Sequence, residues 1–272
     1  QFAQAILCIG SLIGGAIVAT MSWRWIFLIN LPFGVAALVV LWKAYREAPR
    51  AALTGSLDLA GASTIMLASL LILLATSDAW PLFTALGAGV LLLVFVAIER
   101  RAHDPVLPLT LLSRRLIAVA TSTLLLHGMA MMGVLNFLPL HVQGVLGRAP
   151  TEAGLVIAPM LVGWPLASVA TSKLLMRVGY RKPAWLGAGL TAGSLLVLAP
   201  LITAQAATWT LGLALFVFGL GNGLTNTALI IGVQASVGWG QRGVATAALL
   251  FARSMGSALG VGIAGQAAAG VV

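Results

Sequence analysis

Apolar residues fill nine runs along this chain, at residues 2–20, 26–45, 57–77, 82–98, 116–140, 153–173, 183–203, 209–234 and 244–269. Polar and charged residues gather mostly between them. A spanning helix needs about 20 apolar residues, because about 30 Å of hydrocarbon is crossed at 1.5 Å per residue. The runs match that length, with 82–98 on the short side. Each is predicted to be helical, since lipid offers no partner to an open backbone. Pro139, Pro159 and Pro165 fall inside runs and predict local kinks or helix ends. The pattern predicts an all-α integral membrane protein with about nine transmembrane helices.

The polar gaps carry a second signal. Lys43, Arg46, Arg50, Arg100, Arg101, Arg114, Arg115, Lys173, Arg177, Arg181, Lys182 and Arg242 fall in one alternating set of connections, and only Arg24 and Arg148 in the other. Cytoplasmic loops concentrate Lys and Arg in this way, so the first set is inside and no run is skipped. The stretch "SWRWIFLINLPFG" at residues 22–34 then begins at the outer interface. Trp23 and Trp25 suit the aromatic belt there, and Arg24 can extend to headgroups. Trp80 and Trp209 stand at other predicted outer ends.

Composition agrees. The chain of 272 residues is 60% hydrophobic and 8% charged, against roughly 25% charged in soluble domains. The formal net charge of +9 is dispersed in short clusters rather than on one basic face, so it reads as topology and not as a nucleic-acid footprint. Cys8 is the sole cysteine, which excludes a disulfide framework and a CxxC metal site. An intramembrane enzyme needs convergent acid–base, nucleophilic or metal groups. The sequence offers no HExxH, no paired intramembrane carboxylates and no Cys/His cluster. Glu47, Asp58, Asp78, Glu99, Asp104 and Glu152 all fall at predicted helix ends or loops, so no buried carboxylate is expected unless Asp58 lies deeper. The chain opens and closes in apolar, glycine-rich sequence, which reads as an internal piece of a longer membrane protein.

Some polar and small residues fall within the runs. Arg253 stands about 14 Å into its run at 1.5 Å per residue, where a charge is costly and rarely faces lipid. It is either a bundle-interior tie or a cavity charge that tunes a proton site. His127, near the middle of its run, can exchange a proton near neutral pH or simply pack. Asn222 and Asn226 share a helix face and can bond a substrate or a neighbouring helix. Asn136 and Trp164 are further candidates, and Met129, Met131 and Met132 suit either an adaptable lining or plain filler. Gly10 and Gly14 with Gly15, Gly189 with Gly193, and Gly256 with Gly260 are spaced for close helix contact.

The order of several motifs points to a family. "GSLIGG" at 10–15 followed by "WRWIFLINLPFG" resembles the fifth and sixth helices of the fourteen-helix drug:proton antiporters of the major facilitator superfamily. "FLPLHVQGVLGRAPTEAGLVIAPM" at 137–160 resembles their ninth-to-tenth connection. "SKLLMRVGYRK" at 172–182 resembles a degenerate copy of the cytoplasmic loop motif, and "GLGNG" at 219–223 and "FARSMGSALG" at 251–260 resemble the twelfth and thirteenth helices.

The resemblance implies a piece covering helices five to thirteen. Residues 1–50 would end the amino-terminal bundle, 51–113 would hold two extra linker helices, and 114–272 would form five of six helices of the carboxy-terminal bundle. It implies proton-coupled export of amphipathic or cationic small molecules from a bacterial inner membrane, with no cofactor, metal or nucleic acid. Arg253, His127, Asn222, Asn226 and Asn136 would line the cavity. Gly10, Gly14 and Gly15 would seal the bundles, and Arg177, Gly179, Arg181 and Lys182 would form the loop motif. Ser11 stands where the antiporter motif carries Pro, and Met176 where the loop motif carries an acid. The alternative is a truncated or degenerate relative that transports nothing.

Overall fold

A computed structural model describes residues 24–44, 58–76, 81–102, 105–204 and 206–269. The described residues hold α1 (Arg24–Ala44), α2 (Leu59–Ala75), α3 (Pro81–Glu99), a short α4 (Leu109–Leu112), α5 (Arg115–Gly144), α6 (Pro150–Val178), α7 (Arg181–Thr203), α8 (Thr208–Ser236) and α9 (Arg242–Ala269), with a 3₁₀ turn at Trp239–Gln241 before α9. Eight of the nine predicted runs coincide with these helices. The first run, with Gly10, Gly14 and Gly15, lies outside the described residues. The chain forms two compact units, residues 1–55 and 56–272.

Six helices are long and apolar enough to cross a membrane: α3, α5, α6, α7, α8 and α9. The 17-residue α2 and the stretch Asn30–Ala44 of α1 are apolar but shorter. Helix starts follow local chemistry. The Asp58 side chain accepts the Gly61 N–H at 2.8 Å and caps α2, and Pro150 opens α6, where a missing N–H costs nothing. The prolines do not end their helices, since α5 continues through Pro139 and α6 through Pro159 and Pro165. A proline removes one backbone bond, whereas ending a helix in hydrocarbon would strip several.

In the first unit, α1 exposes apolar side chains along its length, among them Leu31, Phe33, Leu38 and Trp42. In the second unit, α8 is the most buried helix. It runs parallel to α6 and antiparallel to α7, and glycines set both contacts. A methyl on Gly219 would lie 3.0 Å from Met160 Cα, and one on Gly223 2.7 Å from Ala167 Cβ. Between α7 and α8, Gly187 and Gly221 face each other, and a methyl on either would come within 2.7 Å of the other's carbonyl oxygen. A second contact joins α5 to α9 in parallel. A methyl on Gly256 would lie 2.7 Å from the Leu125 carbonyl carbon, and one on Gly260 2.7 Å from Met129 Cα. Small residues let helices approach this closely, and where water is absent packing drives association.

These directions fit a chain that crosses with every long helix of the second unit. The close pair Gly256–Gly260 matches its predicted role. Gly189 and Gly193 do not, because nothing lies within 4 Å of a methyl at either. Spacing marks a small-residue face but not whether a helix lies opposite it.

Two apolar clusters fill the seam between the packs α6–α7–α8 and α5–α9. One joins Val134, Leu138 and Val142 to Val156, Met160, Leu215 and Phe218. The other joins Ile117, Ala120 and Leu124 to Leu229, Val233, Ala245 and Leu249. Two buried hydroxyls are satisfied within their own helices: Thr171 donates to the Ala167 carbonyl at 2.6 Å, and Thr191 to that of Gly187 at 3.0 Å.

Candidate functional site

Between the two apolar clusters the seam turns polar. On α5, His127 falls between Leu124 of one cluster and Val134 of the other. On α8, Asn222 and Asn226 fall between Phe218 and Leu229. His127 is twelve residues from the start of α5, about 18 Å along its axis. Asn226 and Asn222 are ten and fourteen residues from the end of α8, about 15 and 21 Å. Since α5 starts and α8 ends on the same side, the three residues share one layer near mid-membrane. Arg253, eleven residues into α9, stands about 17 Å in and belongs to the same layer.

All three side chains are buried: His127 is 8% exposed, Asn222 4% and Asn226 7%. His127 Nδ1 lies 3.0 Å from the Thr123 carbonyl oxygen. A ring proton there leaves Nε2 as a lone pair, and Nε2 is buried with no hydrogen-bond partner among the described residues. Asn222 Nδ2 donates to the Phe218 carbonyl at 3.3 Å. Asn226 Oδ1 is buried and has no donor. The layer therefore offers two unsatisfied acceptors in a low-dielectric setting. A buried acceptor left unmade costs about 1–3 kcal/mol, so the layer is suited to a guest that carries hydrogen-bond donors.

Arg253 is half-buried, and its guanidinium makes no hydrogen bond or ion pair among the described residues. Its backbone packs on α5, where a methyl on Gly128 would lie 3.1 Å from the Arg253 carbonyl carbon. Asn136 has different surroundings from these residues. It is exposed, and its Nδ2 donates to the Met132 carbonyl at 2.9 Å, so it lies off the buried face that carries His127.

The loop motif falls at the junction of α6 and α7. Arg177 is in the last turn of α6, and Arg181 and Lys182 open α7, all three exposed. Gly179 ends α6 at φ 73°, a conformation that a side chain strains. Met176 is 90% exposed. At the other end of α6, Arg148 pairs with Glu152 at 3.4 Å and donates to Thr208 Oγ1. Arg148 and Thr208 border an open groove of about 700 Å³ with Trp209 and Phe216. At the start of α9, Arg242 sits 4.9 Å over the Trp239 ring, beside a groove of about 640 Å³.

The acidic residues hold the main surprise. Glu99 ends α3, as expected for a helix-end acid, yet it is only 4% exposed and meets Asp58 across the antiparallel α2–α3 pair. The expectation of no buried carboxylate is corrected here. Each acid stands at a helix terminus in sequence, and only the pairing of the two termini encloses them. Among the described residues no group of three or more His, Cys, Asp or Glu gathers as a metal site would require.

Comparison with known proteins bears on this arrangement. The chain is 29% identical over 269 residues to the multidrug transporter protein MdtP of Bacillus subtilis, covering 94% of this chain and 49% of that protein. It is 34% identical over 264 residues to an uncharacterized MFS-type transporter, Rv1877, of Mycobacterium tuberculosis, covering 92% and 38%. To a tetracycline resistance determinant of Streptomyces rimosus it is 37% identical over 183 residues, covering 66% and 52%. The chain thus spans about half the length, or less, of the curated relatives it matches. The apolar helices fit a multi-pass protein of the plasma membrane. Residues 2–261 match the family model of the Major Facilitator Superfamily, and the chain belongs to that superfamily.

Proposed function

We propose that this chain is part of a drug exporter of the fourteen-helix type, carrying amphipathic or cationic small molecules outward in exchange for protons. Relatives named as multidrug transporter and tetracycline resistance determinant support the substrate class. The observation that carries the reading is the mid-bundle layer, where His127 Nε2 and Asn226 Oδ1 are buried acceptors without donors. A cationic guest and a proton would compete for the same acceptors, and the charge of Arg253 at the same height would disfavour holding both at once. Competition of that kind is what exchange needs.

In this reading residues 1–50 close an amino-terminal bundle, 51–113 form the linker pair and 114–272 build most of a carboxy-terminal bundle. The carboxy-terminal bundle carries the polar layer, and rocking of the two bundles would give alternating access. Cells expressing the complete gene are loaded with a fluorescent lipophilic cation, and efflux is followed with and without a proton-gradient uncoupler. Efflux above the empty-vector rate that the uncoupler abolishes is the expected result. Efflux indifferent to the uncoupler removes the proton from the reading, and no efflux of any cation tried favours a relative that transports nothing.

A further inference from the structure

Asp58 and Glu99 occupy opposite strands of one hairpin, before α2 and at the end of α3. One oxygen of each is satisfied by backbone: Asp58 Oδ1 accepts from Gly61 N–H at 2.8 Å, and Glu99 Oε1 accepts from Leu107 N–H. The other two, Asp58 Oδ2 and Glu99 Oε2, are shut off from solvent and have no donor among the described residues. Both border Gly61, where a methyl would lie 2.9 Å from Asp58 Cγ and 3.0 Å from Glu99 Oε2.

Among the described residues no cation neutralises them. Arg100 and Arg101 follow Glu99 but are exposed, and the ion pair formed among the described residues is Arg148–Glu152. Arg114 and Arg115, beyond α4, are exposed as well. Apart from the two acids themselves, α2, α3, α4 and residues 105–108 contain no titratable side chain. His103 and Asp104 lie outside the described residues.

Two ionised carboxylates that face each other through oxygens shut off from solvent repel, and each lacks a donor on that oxygen. One proton removes both problems, because the protonated acid donates to the other. A hard metal ion would need six or more oxygens, and this site presents two free ones. We propose that Asp58 and Glu99 together bind a single proton between Oδ2 and Oε2, at the inner end of the linker helices and apart from the mid-bundle layer. The proton comes from the inner aqueous phase, and no heavy-atom bond is made or broken. Glu99 also holds the Leu107 N–H, so the occupancy of this site bears on the segment that leads from the linker pair into α4 and α5. The inference does not depend on the export reading.

The test is infrared spectroscopy of the purified complete protein near neutral pH, in detergent and without substrate. The wild type is expected to show the C=O stretch of one protonated carboxyl that both Glu99→Gln and Asp58→Asn lose, each by one equivalent per chain. Either amide can donate in place of the proton, so the fold is expected to survive, and circular dichroism with size-exclusion profiles checks that it does. A spectrum unchanged in both well-folded variants overturns the proposal. So does a wild-type band that appears only in acid, or a site that binds calcium at the expense of the proton. Gly61→Ala serves as a second probe: by wedging between the two acids it is expected to shift or abolish the same band.

Discussion

Gly128 of α5 lies so close to Ser257 of α9 that a methyl on its Cα would stand 2.9 Å from the Ser257 amide nitrogen. No side-chain rotation relieves that contact, since the opposing atoms are backbone. Gly128→Ala is expected to lower stability by about 1–3 kcal/mol, the usual cost of overpacking. Gly133→Ala, on the same helix with nothing within 4 Å, is expected to be neutral or slightly stabilising, since alanine is the better helix former by about 1 kcal/mol. Denaturation midpoints of the two variants in detergent measure the difference.

The free acceptor of His127 gives a second expectation. His127→Phe keeps an aromatic ring and removes the lone pair, so the variant is expected to insert normally and to lose transport at least tenfold. His127→Gln keeps an acceptor and is expected to retain more activity than His127→Phe. Initial efflux rates normalised to membrane abundance make the comparison, and equal rates for the two variants would sink the role assigned to Nε2.

Arg253 stands at the height of this layer without an ion partner among the described residues. Arg253→Ala is expected to abolish transport while leaving membrane insertion intact, and Arg253→Lys to restore part of it. Wild-type transport by the alanine variant would refute the cavity role.

Arg148 and Arg181 sit at opposite ends of α6, whose 29 residues extend about 43 Å. Cysteines placed at the two positions are expected to react with an impermeant maleimide from opposite sides of the membrane, Arg148→Cys from outside. Labelling from one side would break the topology.

The helices were legible because their signal is one-dimensional: a run of about 20 apolar residues has few alternatives in lipid. Eight runs therefore match helices closely. The height of His127, Asn222, Asn226 and Arg253 was legible for the same reason, since counting residues along a helix measures depth. Other features depend on which helix lies opposite, and no spacing encodes that. Gly189 and Gly193 share the spacing of Gly256 and Gly260, yet only the second pair meets a partner. Glu99 looks like a solvated helix end until α2 brings Asp58 against it. Asn136 is a polar residue within a run, like Asn222, but its position around the helix leaves it exposed.

The glycine contacts also divide the second unit mechanically. Backbone laid on backbone has no rotamers to give, so α6, α7 and α8 form one stiff plate and α5 with α9 another. The joint between the plates is different in kind. It is made of interlocked side chains such as Leu124, Val134, Phe218 and Leu229, and these can slide by changing rotamer. Compliance is thus concentrated along a single line, and that line passes through His127 and Asn226. A guest seated there would press on the joint between the two plates, and not on the glycine contacts within either.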